Sequence, residues 1–258
     1  MRFCKFVEPV TIYDSKDGKI STINSDRSFP MQSVYKFHIA LTMLNKVDQG
    51  IFSLSDSITV TQSQLHVDIW SPFRDKYPNG NRVTLAELIK YTLMQSDNNI
   101  SDVIMEMVGG TKAVQEYLDS INITNTHICN YEREIQRDWG LQYLNYTTPN
   151  SAVKLLRKFH NNELLKSDTH NFLWDTMSST YTSSIRDSLP KGTIIAHKSG
   201  FSGVGTNGIL AANNDIGIMK LPNGREIIFS IFISESKESP KETYKLISQI
   251  ASAIYNYY

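Results

Sequence analysis

The fold of this 258-residue chain turns on the stretch MQSVYKFHIALTML, residues 31–44. An almost unbroken apolar run follows Ser33 and Lys36, which predicts one helix from about Ser33 to Gly50, buried in the core. Residues three apart share a helix face, so the serine hydroxyl and the lysine ammonium would lie side by side. Two interpretations of Ser33 stay open at this point. The residue is a nucleophile beside the positive end of a helix, or it is only a helix cap.

Strand patterns occur at both ends of the chain, and helix patterns occur between them. The first two strands form a hairpin across the turn SKDG (15–18), and the last two are joined by LPNG (221–224). The predicted strands are FVEPVTIYD, KISTIN, GTIIAHKS, TNGILAA, IGIMKL and REIIFSIFI.

The helical middle of the chain carries start and stop signals. Thr84 and Glu87 have the spacing of a capping box before LAELIKYTLM, and the helix ISDVIMEMV stops at Gly109. The amphipathic stretch KETYKLISQIASAIYNY is predicted as a C-terminal helix. Residues 126–146 fit neither pattern, and their aromatic content predicts an irregular but packed segment.

These patterns predict an α/β (α+β) fold. An antiparallel sheet of about five strands would be flanked by helices, with an all-helical lobe inserted between its two halves. We expect a single domain over residues 1–258, with an α/β lobe from about 1–32 and 186–258 and a helical lobe from about 33–185. The seam between two such lobes is a natural place for a cleft.

The composition argues against several classes of partner. Lys plus Arg and Asp plus Glu both number 26 and no block of like charge occurs, which argues against nucleic acid. No apolar run approaches the roughly 20 residues of a membrane span, and the first residues lack the pattern of a signal peptide. Cys4 and Cys129 predict two free, partly buried thiols, and the dispersed histidines predict neither a metal nor another cofactor. We expect a small-molecule partner.

Three short motifs carry the candidate chemistry. Of four S-x-x-K matches, Ser33–Lys36 is distinguished by the apolar helix that it opens. The tripeptide Ser-Asp-Asn at 96–98 lies between two predicted helices and alone would be a turn with an N-cap. The tripeptide Lys-Ser-Gly at 198–200 ends a predicted strand and alone would be an edge lysine with a turn glycine. Each motif is common by itself, but all three in this order are not expected by chance.

In these motifs and their order the chain resembles the class A serine β-lactamases, over essentially its whole length. The Trp-Ser-Pro of residues 70–72 resembles the aromatic-Ser-Pro at the family's cleft mouth. YEREIQ (131–136) falls where the family's omega loop carries a glutamate. Gln32 and the E-x-x-I-Q pattern resemble the extended-spectrum branch, subclass A2.

The resemblance implies a role for each matching residue. Ser33 would attack the lactam carbonyl, the backbone N–H groups of Ser33 and Phe201 would form the oxyanion hole, and Ser96 would pass a proton to the lactam nitrogen. The base of acylation stays open between Lys36, with a pKa lowered by Lys198, and Glu132 acting through water. The implied catalytic residues are Ser33, Lys36, Ser96, Glu132 and Lys198, and the implied substrate-binding residues are Trp70, Asn98, Gln136, Ser199, Gly200 and Phe201.

The implied activity is hydrolysis of penicillins and cephalosporins through an acyl-enzyme on Ser33. Glu132 separates this from the alternative, a non-hydrolytic penicillin-binding protein or DD-peptidase, or a catalytically impaired homologue. A positioned base, worth about 10²–10⁴-fold, lets water release the acyl group. Glu134 is a rival base, but Ile135 fits the family's E-x-x-L spacing only if Glu132 is the base. The resemblance also implies a monomer, periplasmic or secreted, that acts on a β-lactam.

The sequence departs from the family pattern at three places. Gln136 replaces an asparagine, which predicts a different hold on the deacylating water. Asn207 and Ser184 stand where many members carry the arginine that anchors the substrate carboxylate, which leaves Arg186 as a candidate anchor. The first predicted strand begins almost at once, where the family normally has an N-terminal helix. If that helix is absent, we expect exposed apolar sheet surface and reduced stability or poor solubility.

Overall fold

The computed structural model describes residues 9–180 and 184–258 and has a five-stranded antiparallel sheet at its centre. The spatial order of the strands is β2-β1-β10-β9-β8, so both ends of the chain contribute to one sheet, as the sequence predicts. Its strands are β1 (Val10–Asp14), β2 (Ile20–Ile23), β8 (Ile194–Phe201), β9 (Leu210–Lys220) and β10 (Glu226–Ser236). The part of the first predicted strand before residue 9 lies outside the described residues.

The remaining elements form the middle of the chain and the C-terminal helix. Two smaller sheets comprise β3 (Phe29–Pro30), β6 (Thr126–His127) and β7 (Tyr146–Thr147), and the hairpin β4 (Ser57–Thr61) with β5 (Gly80–Thr84). The helices are α1 (Tyr35–Asp48), α2 (Pro72–Lys76), α3 (Leu85–Met94), α4 (Asn98–Val108), α5 (Gly110–Ser120), α6 (Glu132–Arg137), α7 (Pro149–His160), α8 (Ser167–Ser178) and α9 (Pro240–Tyr257).

Alternation along the strands gives the sheet two apolar faces, each covered by helices. On β9, Ile216 and Ile218 join the core that contains α1, whereas Met219 joins the core under α9. Successive strand residues point to opposite faces, so a sheet covered on both sides carries apolar residues at nearly every position. The sheet therefore separates two cores.

Helix α1 is the centre of the larger core. Its first ten residues, Tyr35 to Leu44, are all buried, and it packs on α3, α4, α5 and α8. A helix that is apolar all round is expected to be surrounded by protein. The prediction of a buried helix is confirmed. Its first turn differs, because residues 32–34 form a 3-10 turn and the α-helix begins at Tyr35.

Strand β9 corrects the sequence prediction of two strands, TNGILAA and IGIMKL. It runs unbroken from Leu210 to Lys220, because the polar run Asn213-Asn214-Asp215 in its middle is buried with hydrogen-bond partners. Those partners are Thr243 for Asn213, the carbonyl oxygens of Pro30 and Met31 for Asn214, and His197 for Asp215. Partners this distant in sequence are invisible to a local pattern.

Residues 126–146 contain more regular structure than the sequence predicts. They include β6, the short helix α6, a 3-10 turn over Trp139–Leu144 and β7. The segment is held by side chains, since the buried side-chain oxygen Oδ1 of Asn145 accepts the backbone N–H groups of Cys129 and Asn130. Cys129 is a free, partly buried thiol, as expected, and Cys4 lies outside the described residues.

The outer face of the sheet carries an open apolar groove of about 570 Å³ between β1, β2 and α9. Ile23 lines it and is 51% exposed, and the only polar side chains in its lining are hydroxyls. Its lining is Val10, Ile12, Ser21, Ile23, Leu246, Ile250, Ala253, Ile254, Tyr257 and Tyr258. We call this surface the outer groove. Its walls come from the first hairpin of the sheet and from the C-terminal helix.

Candidate active site

Ser33 lies in the 3-10 turn that precedes α1, at the edge of a cleft between the sheet and the helices. Gln32 before it has a left-handed backbone (φ 49°), a conformation that is costly for a residue with a side chain and tends to occur at functional sites. No side-chain hydrogen bond caps this turn or α1, so the interpretation of Ser33 as a helix cap is wrong. The Ser33 hydroxyl oxygen instead accepts a hydrogen bond from Lys36 Nζ at 2.9 Å.

Two residues of the sheet fix the position of this turn. A Cβ on Gly200 would lie 2.5 Å from the Met31 carbonyl oxygen and 3.1 Å from the Ser33 nitrogen, so only glycine allows β8 to approach so closely. From β9, the buried Asn214 amide donates to the carbonyl oxygens of Pro30 and Met31 at 2.8 and 3.2 Å. The nucleophile candidate is therefore clamped between two strands.

Lys36 is the hub of the site. Its fully buried Nζ donates to Ser33 Oγ at 2.9 Å, to the Ser96 carbonyl oxygen at 2.8 Å and to Asn98 Oδ1 at 2.5 Å. Its distance from Glu132 Oε1 is 3.1 Å, which makes a buried ion pair. One cation thus joins the first motif, the second motif and the glutamate.

The second motif is shaped by its middle residue. The buried Asp97 carboxylate caps α4 through the Ile100 N–H and also accepts the Ser71 hydroxyl and the Phe73 N–H. These bonds tie the motif to the Trp-Ser-Pro at the cleft mouth. Ser96 itself has a left-handed backbone (φ 54°), which leaves its hydroxyl directed into the cleft between the two lysines.

Lys198 brings a second buried cation from β8. Its Nζ donates to Ser96 Oγ at 3.1 Å and to the Ser199 carbonyl oxygen at 2.8 Å. Burial first, and then the positive charge of Lys36, lower the pKa of Lys198 to about 7. The negative charges of Asp215 and Glu132 oppose this shift. The lysine therefore sits near its own titration point at neutral pH.

Asp102 of α4 positions Glu132. Its carboxylate oxygens accept the backbone N–H groups of Glu132 at 2.8 Å and Arg133 at 3.1 Å, which pins the first turn of α6 beside Lys36. Burial first, and then the charge of Glu132, raise the pKa of Asp102 to about 7. Asp102 is not among the residues predicted from the sequence, because a polar residue in the pattern ISDVIMEM carries no signal of its distant partner.

The two glutamates of α6 point in different directions. Glu132 is buried against Lys36, whereas the Glu134 carboxylate accepts the Tyr131 N–H at 2.8 Å as a cap of the same helix. The position of Ile135 favours Glu132 over Glu134 as the base candidate in the sequence. In the structure only Glu132 contacts the lysine hub.

The cleft has a volume of about 500 Å³ and contains most of the predicted residues. Trp70 stands at its mouth, 62% exposed, with its indole N–H bonded to the Gln95 carbonyl oxygen at 3.0 Å. Tyr244 of α9 packs on Phe201, with ring centroids 5.2 Å apart, and is a lining residue that the sequence analysis missed. The lining is Gln32, Ser33, Trp70, Gln95, Ser96, Asn98, Glu132, Ser199, Gly200, Phe201 and Tyr244.

Two sequence candidates, Gln136 and Arg186, lie away from the cleft, and Asn207 does not occupy the strand position at which many family members carry an arginine. Gln136 is exposed and is not among the lining residues, because α6 carries it about 6 Å along the helix from Glu132. Arg186 is not near the substrate site either, since its guanidinium donates to the carbonyl oxygens of Ser178, Thr193 and Ile195. Asn207 lies in the loop after β8 rather than on a strand, and its side chain accepts the Ile209 N–H.

Another missed contact joins the nucleophile turn to the segment after α6. Gln32 Nε2 donates to Gln142 Oε1 at 2.5 Å, and Gln142 Nε2 donates to the Trp139 carbonyl oxygen at 2.7 Å. The Trp139 ring also lies against Gly205, 3.1 Å from where a Cβ would be. The 3-10 turn over Trp139–Leu144 thus connects Gln32, the residue before Ser33, with the loop after β8.

Within residues 9–180 and 184–258, no group of three or more His, Cys, Asp or Glu side chains could hold a metal ion. None of the helices in these ranges combines the length and the hydropathy that a membrane span requires.

Comparison with known proteins gives consistent relatives. Residues 7–258 match the model of the Beta-lactamase enzyme family. The chain is 41% identical to Beta-lactamase VEB-1 of Pseudomonas aeruginosa, over 96% of this chain and 84% of that protein. The crystal structure of TLA-3 extended-spectrum beta-lactamase matches with a TM-score of 0.95 and 39% identity, over 97% of this chain and 92% of that one.

A third relative carries the class in its description. The structure of a representative of class A beta-lactamase from Bacteroides cellulosilyticus DSM 14838 matches with a TM-score of 0.92 and 34% identity, over 96% of this chain and 90% of that one. The family match spans nearly the whole chain, and the fold agrees with it. The chain therefore belongs to the class A serine β-lactamases, hydrolases that open the β-lactam amide.

Proposed function

We propose that this β-lactamase hydrolyses penicillins and cephalosporins through an acyl-enzyme on Ser33, which water activated by Glu132 releases. The observation that carries the proposal is the convergence of Ser33, Ser96, Asn98 and Glu132 on the single ammonium of Lys36. A nucleophile held against a potential base, with a third group that orients the base, is the arrangement that nucleophilic catalysis needs.

Acylation forms a bond between Ser33 Oγ and the lactam carbonyl carbon, and the Ser33 proton leaves toward a base. Two bases fit this step, Lys36 at 2.9 Å from Ser33 Oγ, or Glu132 through a water molecule. Ser96 then gives its proton to the lactam nitrogen as the C–N bond breaks. Its hydroxyl is 3.1 Å from Lys198 Nζ, which can in turn replenish the proton.

The negative charge that develops on the lactam oxygen needs fixed donors. The backbone N–H groups of Ser33 and Phe201 would serve as the oxyanion hole, in agreement with the close approach of Gly200 to the Ser33 nitrogen. Backbone donors held rigidly at the place where charge develops cost no reorganisation during the reaction. The 3-10 turn over residues 32–34 and the end of β8 supply that rigidity.

Deacylation separates a hydrolase from an acylated binding protein. Glu132 is only 7% exposed but lines the cleft, so its carboxylate can meet a water molecule beside the acylated serine. Proton transfer to such a base is worth about 10²–10⁴-fold. Attack of that water on the acyl carbon frees Ser33 and releases the opened product.

The substrate carboxylate would be met by Lys198 and Ser199, with Trp70, Asn98, Gly200 and Phe201 around the rest of the molecule. No arginine lines the cleft in the described ranges, and Arg186 is occupied by three carbonyl oxygens. Lys198 thus supplies the cation for the carboxylate in this proposal. A lysine offers a point charge rather than a planar fork.

The test is a chromogenic cephalosporin assay on wild type, Ser33→Ala, Glu132→Gln and Glu134→Gln. We expect turnover to fall by about 10³-fold or more in Ser33→Ala and by about 10²–10⁴-fold in Glu132→Gln. Glu134→Gln is the matched control on the same helix and should stay within about threefold, because its carboxyl only caps Tyr131. Wild-type turnover in Glu132→Gln would contradict the role of Glu132. A single covalent adduct without turnover in the wild type would favour the non-hydrolytic alternative.

We further propose that the chain works as one monomeric domain, in the periplasm or outside the cell, where it meets β-lactams before they reach the cell wall. The cleft supports a single domain, since it joins Lys36 of α1 and Lys198 of the sheet through Ser96. Light scattering on the pure protein and fractionation of producing cells would test the monomer and the compartment.

A further inference from the structure

Tyr35, the first residue of α1, has a hydroxyl that the mechanism above does not use. The side chain is fully buried next to Lys36, and its hydroxyl has no hydrogen-bond partner among the described residues. Buried polar groups without a partner are rare and costly. A phenylalanine would fill the same space without that cost, so the hydroxyl calls for an explanation.

Glu132 Oε1 is in the same condition. It lies 3.1 Å from Lys36 Nζ as an ion pair, yet it is buried and accepts no hydrogen bond. The reason is that an ammonium has three N–H donors, and those of Lys36 are directed to Ser33, Ser96 and Asn98. Oxygen Oε1 of the candidate base therefore has the charge of Lys36 beside it but lacks a hydrogen-bond donor.

The two unpartnered groups lie within reach of each other. Burial first, and then the negative charge of Glu132, raise the pKa of Tyr35 well above its usual value, so the hydroxyl lies close enough to feel that carboxylate. The two atoms do not close a bond of normal geometry, since each still lacks a partner. A phenol that stays protonated is a donor, and an ionised carboxylate is an acceptor, so the pair is complementary.

Other charged groups face this pair from every element packed around it. They are Lys36 on α1, Asp102 on α4, Arg133 and Glu134 on α6, and Lys198 on β8. Both carboxylate oxygens of Asp102 accept backbone N–H groups of α6, and Arg133 forms ion pairs with Asp102 and Glu106. Lys198 donates to Ser96 and Ser199. Tyr35 is thus the neutral donor left for the base.

We propose that Tyr35 is a positioning residue for Glu132, whose phenol donates a hydrogen bond to the carboxylate and keeps it ionised and oriented during deacylation. The inference rests on the proposed role of Glu132 as the deacylation base. A donor to the charged form of an acid favours that form, so the hydroxyl extends deacylation toward acidic pH.

The test is the rate of acyl-enzyme decay from pH 4 to 8 in wild type and Tyr35→Phe, followed by rapid-quench mass spectrometry. We expect the acid limb of this rate to rise by about one pH unit in Tyr35→Phe, so decay on the limb slows about tenfold. The acylation rate should stay within about twofold. Tyr117→Phe is the matched control, because its hydroxyl is also buried without a partner but feels Asp48 rather than the active site.

The outcomes separate this inference from the proposed function. An acid limb at the wild-type pH in Tyr35→Phe would overturn the inference, and so would an equal shift in Tyr117→Phe. In the Glu132→Gln background, Tyr35→Phe should have no further effect on decay, since the acceptor charge is gone. If Glu132→Gln itself decayed normally, the proposed function would fail first. Equal melting temperatures of the two Phe variants would exclude loss of folding as the cause.

Discussion

The active-site cleft and the outer groove are two hollows of similar size with opposite contents. The cleft measures about 500 Å³ and is lined by a buried glutamate and two left-handed residues. Two buried lysines lie behind this lining and donate hydrogen bonds to it. The outer groove measures about 570 Å³ and is lined by aliphatic side chains and a few hydroxyls. Volume does not distinguish them.

The difference teaches which features identify a site. A functional cleft combines apolar walls with a few convergent polar groups and perturbed pKa values. The cleft has such groups around Lys36 Nζ, and it keeps Lys198 near its titration point. The outer groove has none of these features, so its effect should appear in stability and solubility and not in turnover.

Removal of the lysine hub should give the largest effect. Lys36→Met takes the donor from Ser33 and leaves Glu132 as a buried charge without its partner, so kcat/KM should fall by about 10³-fold or more. The free energy of unfolding should fall by about 3–5 kcal/mol at neutral pH. Lys76→Met on the surface of α2 is the control and should leave both quantities close to wild type. A Lys36→Met enzyme that kept a tenth of wild-type kcat/KM would contradict the central role of Lys36 in the site.

The next largest effect is expected in the pH dependence of kcat/KM, through Lys198. The free-enzyme pKa of Lys198 is lowered to about 7, so this lysine loses its proton above neutral pH and with it the charge that attracts an anionic penicillin. We expect kcat/KM to fall with rising pH from about pH 7. In Lys198→Arg this alkaline limb should move out of the range pH 6–9, since arginine stays protonated. An unchanged limb in the arginine variant would assign it to another group.

The same shift has a consequence for stability. Between pH 7 and its ordinary pKa near 10.4, Lys198 is neutral in the folded protein and protonated in the unfolded chain. The unfolded chain then binds more protons, so the contribution of this site to stability rises with pH in that window. Below pH 7 both states are protonated, and the cost of burying the charge is fully present.

A smaller effect is expected from the contact between Gln142, in the 3-10 turn over Trp139–Leu144, and Gln32, the residue before the nucleophile. Gln142→Ala removes the bonds to Gln32 and to the Trp139 carbonyl oxygen, which should loosen one wall of the cleft. We expect KM for a cephalosporin to rise several-fold, with kcat within about threefold. Gln136→Ala is the matched control on the exposed side of α6 and should change neither constant. Equal changes of KM in both variants would contradict the role of the Gln142 contact in supporting the cleft.

The smallest effect on turnover should come from the outer groove. Ile23→Ser changes a side chain that is 51% exposed and lies on the opposite side of the sheet from the cleft. Turnover per folded molecule should stay within about twofold, and the free energy of unfolding should change by about 0.5 kcal/mol or less. Binding of a hydrophobic dye should decrease, because the apolar patch is interrupted. A loss of activity here would break the separation of the two hollows.

The sequence predicted those parts of the molecule that depend on local pattern. The buried helix α1, the five-stranded sheet and the contact between Ser33 and Lys36 follow from apolar periodicity and from spacing on one face. The order of three short motifs was enough to predict the family. The motifs could not show that residues 32–34 form a 3-10 turn. The chain just before this turn is held by Asn214 of β9, which donates to the Pro30 carbonyl oxygen and is far away in sequence.

The missed residues act over long distances in the chain. Asp102, Asn214 and Gln142 each hold a catalytic segment through a partner that is far away in sequence. Their partners are known only once the fold is known, so no spacing rule predicts them. Arg186 failed as a carboxylate anchor for the same reason, because three backbone carbonyl oxygens near the start of β8 hold its guanidinium.

The central claim is that Ser33 captures the substrate and Glu132 releases it, and mass spectrometry after mixing with benzylpenicillin tests this most directly. Intact mass should return to that of free enzyme in the wild type, whereas Glu132→Gln should accumulate one penicilloyl adduct. Peptide mapping should locate the adduct on Ser33, and Ser33→Ala should acquire none. An adduct on another residue, or a Glu132→Gln enzyme that clears its adduct at the wild-type rate, would contradict the account.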